Sequence, residues 1–165
     1  MGVGFSVGVG IATALKIKKS LSKVFVIVGD GEMNEGSVWE ACMSASKNNL
    51  NNLTLIIDNN KLQTYDSPAK VAGLTNLDKK LSSFGFSTKI VDGHSVKKLK
   101  KIFNEVPFSK NKSNAIICNT IKGKGIDFAE NNTSWHHKSS ISEKEIFQMI
   151  KSLNQHEKKN WENKF

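Results

Sequence analysis

Val24-Phe25-Val26-Ile27-Val28-Gly29-Asp30-Gly31-Glu32, read together with Leu53-Thr54-Leu55-Ile56-Ile57-Asp58-Asn59-Asn60, decides the fold of this chain. Each stretch begins as a short uncharged apolar run, the length of a buried strand, and ends in a polar cluster. Between them lies one helical pattern, residues 34–48, with Val38, Ala41, Cys42 and Ala45 at helical spacing. Strand, helix and strand of these lengths read as a βαβ unit and hence a parallel sheet. Asp30 and Asn60, thirty positions apart, then each sit just past the carboxyl end of a strand. In an open parallel sheet that rim is where ligands bind.

The same alternation extends outward. Residues 5–18 read as a helix whose apolar side is Val7, Ile11, Ala14, Leu15 and Ile17. A polar loop from Asp58 to about Ala72 leads to a weaker helix near 75–83 and a strand at 87–91. Asp92-Gly93 signals a turn, and Ser95 is placed to cap a helix running to about Glu105. A strand at 115–119 follows, then an irregular segment, 123–140. Ser142 and Glu145 have capping-box spacing for a last helix, about 143–153. Residues 1–153 thus read as one α/β domain and 154–165 as a polar, frayed tail.

Composition narrows the class. At 165 residues and 38% hydrophobic content the chain can bury a core. No apolar run is long enough to span a membrane, and the glycine-rich opening lacks the basic segment of a signal peptide. Cys42 and Cys118 have no metal-ligand spacing, so they read as buried free thiols of a reducing, cytoplasmic protein. The chain carries 24 basic and 15 acidic residues, for a formal charge of +9, and every basic residue is lysine. These lysines scatter over loops and helix faces; the densest group, Lys97, Lys98, Lys100 and Lys101, reads as the solvated face of one helix. Neither nucleic acid nor membrane is expected as a partner. Without arginine the chain lacks the usual bidentate phosphate clamp, so a substrate phosphate would be gripped by another chain.

The rim residues carry chemistry. A carboxylate and an amide oxygen brought together suit a hard divalent cation that also grips phosphate oxygens. The glycines flanking Asp30 allow a close backbone approach to a diphosphate. This is the pattern of a thiamine-diphosphate and Mg²⁺ (or Ca²⁺) site. The same residues have ordinary uses: Asp-Gly and Asn-Asn are turn formers, and Glu35 and Glu40 favour a helix start. His94 reads as a turn or capping residue, whereas Trp39 and Trp135 fit core or interface equally. Gly2, Gly4, Gly8 and Gly10 imitate a dinucleotide fingerprint, but no strand precedes them, so NAD binding is rejected.

Gly29-Asp30-Gly31 with its spacing to Asn60, the segment 36–41 (Gly-Ser-Val-Trp-Glu-Ala) and the segment 120–125 (Thr-Ile-Lys-Gly-Lys-Gly) together resemble transketolase. The glycine-rich opening, Met1 to Gly10, and the closing stretch from Glu130 to Lys138 extend the resemblance over nearly the whole chain. It is to the amino-terminal, pyrophosphate-binding domain, and it implies the thiamine-diphosphate-binding fold. It implies that Asp30, Asn60 and the backbone carbonyl of Leu62 hold the metal, and that Gly29, Asp30, Gly31, Glu32, Asn60, Leu62 and His136 form the cofactor site. Glu35 and Glu40 match acids at the subunit interface that couple two active sites. His136, preferred over His137, matches a histidine near the diphosphate and the substrate's first carbons, a hydrogen-bond donor or proton carrier.

The resemblance begins part-way into that domain, so the chain reads as truncated at its start. It also lacks the pyrimidine-binding domain with the glutamate that activates the cofactor ring. The expectation is therefore an amino-terminal transketolase subunit (EC 2.2.1.1), inactive alone, oligomeric, and completed by a pyrimidine-domain partner. Its reaction would transfer a two-carbon ketol unit between sugar phosphates. The alternatives are a deoxyxylulose-phosphate synthase, a dehydrogenase first component, or a non-catalytic remnant.

Overall fold

The computed structural model describes residues 2–63, 66–136 and 138–162. Four strands, β1 (Val24–Gly29), β2 (Leu53–Asn59), β3 (Ser87–Asp92) and β4 (Asn114–Asn119), form one sheet in the order β1-β2-β4-β3. All three pairings are parallel, as the strand-helix alternation predicts. Six helices connect or flank them: α1 (Val3–Ile17), α2 (Gly36–Lys47), α3 (Pro68–Ala72), α4 (Leu77–Ser83), α5 (Val96–Asn104) and α6 (Glu143–Glu162). The central strands β2 and β4 are apolar almost throughout because both of their faces are covered.

On one face, Leu53, Leu55, Ile57, Ala115 and Ile117 pack against Phe5 and Val9 of α1, Val38 and Cys42 of α2, and Leu81 of α4. Each large aliphatic side chain buried there contributes about 1.5–3 kcal/mol. On the other face, Ile102 of α5 covers Ile56, Val91, Ile116 and Cys118. Buried Asn114 braces the base of the sheet: its Nδ2 donates to Asn51 O and Leu53 O at 3.1 and 3.0 Å, and its Oδ1 accepts from Phe108 N at 2.8 Å. Both cysteines are buried free thiols, and burial pushes the Cys42 thiol up to about 12. Among the described residues no helix is long and apolar enough to cross a membrane.

Several boundaries and one face differ from the sequence-based expectation. In α1 the buried side is Phe5, Gly8, Val9 and Ala12, while Val7, Ile11 and Ile17 stay exposed, reversing the expected face. The helix is apolar all round, so periodicity does not choose its inner side. Gly8 does: a Cβ there would stand 2.3 Å from Val26 Cγ2, so only glycine allows this approach. Helix α2 starts at Gly36 rather than 34, because Asp30–Asn34 forms a 3₁₀ turn. Strand β2 runs on through Asn59, and the loop after it contains α3. Helix α6 continues to Glu162 instead of fraying after Leu153. Its start is as expected: Ser142 N donates to Glu145 Oε2 at 2.8 Å, and Glu145 N donates back to Ser142 Oγ at 3.3 Å. Ser95 caps α5 by accepting from Lys98 N. His137 and the last three residues lie outside the described residues.

Candidate functional site

The parallel register lines up the strand ends: Gly29 stands beside Asp58, and Asn119 stands between Asn59 and Asp92. Directly after β1, the 3₁₀ turn folds back on itself through Glu32. One oxygen of that carboxylate accepts from Gly29 N at 3.0 Å, and the other accepts from Gly2 N at 2.8 Å at the start of α1. Glu32 therefore ties α1 to the end of β1. The turn it closes leaves Asp30 only 2% exposed, facing the loop after β2.

That loop is shaped around Asp30. Lys61 N donates to Asp30 Oδ2 at 2.6 Å, and Leu62 N donates to Asn60 Oδ1 at 2.9 Å. The second contact is an Asx turn, and it leaves the amide oxygen one further lone pair. Lys61 takes a left-handed backbone (φ 62°), which costs a non-glycine residue about 1–2 kcal/mol. The hydrogen bonds on either side of Lys61 hold that strain at the rim. Gly31 lies close against the same loop: a Cβ there would come within 3.0 Å of Gln63 Oε1, the end of a side chain that accepts from Asn34 Nδ2.

Burial lifts the Asp30 carboxyl above its ordinary value, and the nearby Asp58 charge adds to this. The amides of Lys61 and Gly31 and the charge of Lys122 pull the other way without overcoming burial. Asp30 is thus a buried acid whose burial outweighs the hydrogen bonds and the positive charge that favour its ionised form. Around it, Asn59 Nδ2 donates to Asn119 Oδ1 at 2.8 Å, and the Thr120 hydroxyl donates to Asp58 Oδ1. A cavity of about 440 Å³ opens beside Asp30, lined among others by Asn59, Lys61, Leu74, Ile90 and Ile117.

The structure brings Asp30, Gly31, Asn60 and Leu62 to one rim, as the sequence implies. Glu35, directly before α2, and Glu40 within it are both exposed, unlike the buried acid. His136 stands half-buried on the loop between β4 and α6, directly after a 3₁₀ turn in which Trp135 packs on Phe128. Lys122, after β4, is a residue that sequence reasoning does not single out; its charge is among the influences that draw the Asp30 carboxyl down.

Among the described residues no three His, Cys, Asp or Glu side chains cluster as a metal cage. What the rim offers is one carboxylate, one amide oxygen and main-chain carbonyls. That oxygen set has the chemistry that a hard divalent cation takes as ligands.

Comparison with known proteins agrees with this geometry. The family model described as "Transketolase, thiamine diphosphate binding domain" matches residues 2–163. One subunit of the apulose-4-phosphate transketolase of Phocaeicola vulgatus is 36% identical over 137 residues, 83% of this chain and 49% of that protein. Human transketolase is 39% identical over 163 residues, 96% of this chain and 26% of that protein. The chain therefore spans about half the length of the first and about a quarter of the second. The crystal structure of transketolase from Campylobacter jejuni superimposes with a TM-score of 0.84 at 25% identity, covering 93% of this chain and 25% of that one. The buried rim acid, the parallel sheet that places it and these matches together make this chain a member of the transketolase thiamine-diphosphate-binding-domain family.

Proposed function

We propose that this chain supplies the metal- and diphosphate-binding half of a transketolase active site, as an amino-terminal subunit that works with a partner. The single observation that carries the reading is Asp30, 2% exposed at the carboxyl end of β1 and linked through Lys61 N to the Asn60 turn. In this role the Asp30 carboxylate, the Asn60 amide oxygen and the Leu62 carbonyl bind Mg²⁺ or Ca²⁺. Gly29 and Gly31 keep the rim low, so that backbone amides reach the diphosphate, and Glu32 holds the turn in shape. Lys122 adds a point charge from the other side of the rim. Thiamine diphosphate, when bound, supplies the carbanion chemistry of ketol transfer, while the protein binds and orients it.

His136 serves as hydrogen-bond donor or proton carrier toward the substrate's first carbons. Glu35 and Glu40, both exposed, face a partner chain. That partner brings the pyrimidine-binding domain and its activating glutamate; the Phocaeicola relative, named as one subunit of its enzyme, supports a division of this kind. The substrates are sugar phosphates, and the place of work is the cytoplasm. Which ketose donates is open within the family, since one relative is named for apulose 4-phosphate. The family match favours ketol transfer over a synthase or dehydrogenase first component.

Titration calorimetry of the chain with its partner subunit tests the reading. Magnesium-dependent thiamine-diphosphate binding that Asp30→Ala removes is the expected result. Binding that is absent, or indifferent to that substitution, sinks it and favours a non-catalytic remnant. Turnover with ketose phosphates but not pyruvate then separates transketolase from the synthase and dehydrogenase readings.

A further inference from the structure

The turn after β3 does more than reverse the chain. Gly93 N donates to Asn119 O at 2.8 Å. A Cβ on Gly93 would stand 2.4 Å from Thr120 Cγ2 and 3.1 Å from Cys118 Cβ, so the turn lies flat on the chain leaving β4. His94 N donates to Asp92 Oδ1 at 3.1 Å, which aims the ring across the turn. There His94 Nε2 accepts from Ile121 N at 2.7 Å. A backbone amide can only donate, so Nε2 must carry no proton, and the ring must be neutral with its hydrogen on Nδ1.

The amide it holds sits between two groups of the rim. On one side Thr120 bonds Asp58 through its hydroxyl and Asn59 O through its N–H, the latter at 3.3 Å. On the other side is Lys122, whose charge acts on Asp30. Lys122 O is fixed in turn by Asn131 N at 3.0 Å. The strap 120–122 therefore crosses the rim with one end pinned on Asp58 and Asn59 and its middle pinned on His94.

We propose that His94 is a positioning residue. Its neutral imidazole fixes the Ile121 amide and thereby holds the strap whose Thr120 bonds Asp58 and Asn59 at the rim. Taking up a proton at Nε2 releases the strap and weakens the diphosphate grip. This rests on the functional reading above for its ligand, and on the strap geometry for its cause. The charged and titratable groups near the ring are Asp92 on its own turn, Lys98 of α5 (3.6 Å from Asp92 Oδ2), Cys118 of β4 beneath Gly93, and Lys122 next in the chain after Ile121, with Asp58 beyond Thr120. Imidazole side chains change charge between about pH 5 and 8.

The test compares wild type, His94→Gln and His94→Leu, each with the partner subunit. Gln keeps an acceptor at every pH, and Leu keeps none. Hydrogen exchange of the Ile121 amide is read by NMR at about pH 8 and about pH 5, and magnesium-dependent thiamine-diphosphate affinity by calorimetry at the same pH values. The expected result is weaker binding of His94→Leu at the higher pH, by about 5-fold, the worth of one hydrogen bond. His94→Gln should match wild type there and lose less affinity on acidification; the ligand's own titration is common to both and cancels. Ile121 protection, its exchange rate taken relative to an unstructured amide at the same pH, should fall in His94→Leu and in acidified wild type, but not in His94→Gln. Equal affinity of His94→Leu and wild type, or identical pH profiles of wild type and His94→Gln, overturns the proposal. If wild type binds no diphosphate at all, the functional reading falls. The Ile121 amide then decides the strap: unchanged exchange in His94→Leu overturns it, and faster exchange supports it.

Discussion

Asp30 at the end of β1 and two glutamates further on, Glu130 in the loop after β4 and Glu145 in the first turn of α6, are handled in opposite ways. Burial lifts the Asp30 carboxyl, and the two backbone amides beside it only soften that effect. Glu130 is drawn below its ordinary value by the Gly125 amide and by Lys124. Glu145 is drawn down to about 2 by Lys138 and by both hydrogen-bond groups of Ser142. The glutamates are satisfied by their own neighbours and serve to shape a loop and start a helix. Asp30 is placed where burial outweighs the hydrogen bonds it receives. Buried acids shifted in this way cluster at functional sites.

The largest test removes the buried acid itself. If Asp30 holds the metal as proposed, Asp30→Ala should weaken magnesium-dependent thiamine-diphosphate binding by about 100-fold or more, beyond the roughly 10–100-fold that loss of an outer partner of a metal ligand costs. Calorimetry with the partner present would show it, and wild-type affinity would place Asp30 with the structural acids. Next comes Glu32→Ala, which strands the Gly2 and Gly29 amides and should cost about 1–3 kcal/mol in urea unfolding. A loss well below that range would mean the turn holds Asp30 without its tether.

Ser142→Ala should cost about 1 kcal/mol and be felt mainly as faster amide exchange in the first turn of α6. Diphosphate affinity should not move, which keeps the loop acids separate from the rim. The smallest effect is on pH dependence. The raised Asp30 value means that its contribution is fully present below the ordinary carboxylate range and is lost as pH rises through the folded value. Glu130 and Glu145 behave in reverse: their contribution is present above the ordinary value and is lost as pH falls through the depressed one. Acidifying the free protein from neutrality should therefore narrow the stability gap between Asp30→Asn and wild type, and reduce the advantage of wild type over Glu145→Gln. Parallel slopes for the two variants would erase the contrast.

The sheet and the rim are legible in the sequence because both are written locally: apolar runs of strand length, then Asp30 or Asn60 within a few residues. The buried side of α1 is not, since a helix apolar all round offers no contrast and its orientation depends on how closely Gly8 meets Val26. The length of α6 escapes because its polar second half carries no apolar periodicity to read. Glu32 stands in the cofactor motif, yet the structure gives both its oxygens to backbone amides, one of them thirty residues away. His94 lies on the turn that Asp92-Gly93 announces, but its bond to the Ile121 amide joins two loops 27 residues apart. No spacing within the sequence announces such a contact.

The all-lysine charge of the chain has a practical consequence. Because all 24 basic side chains are primary amines, a single acylating reagent reports on every one of them, with no guanidinium left silent. Complete reaction would leave 15 acids uncompensated and reverse the sign of the surface. Partial reaction, read by mass spectrometry, would rank the amines by how firmly they are held. Lys23, bonded to Val106 O at 2.7 Å, should be among the slow ones, and Lys122 should slow further once a diphosphate occupies the rim.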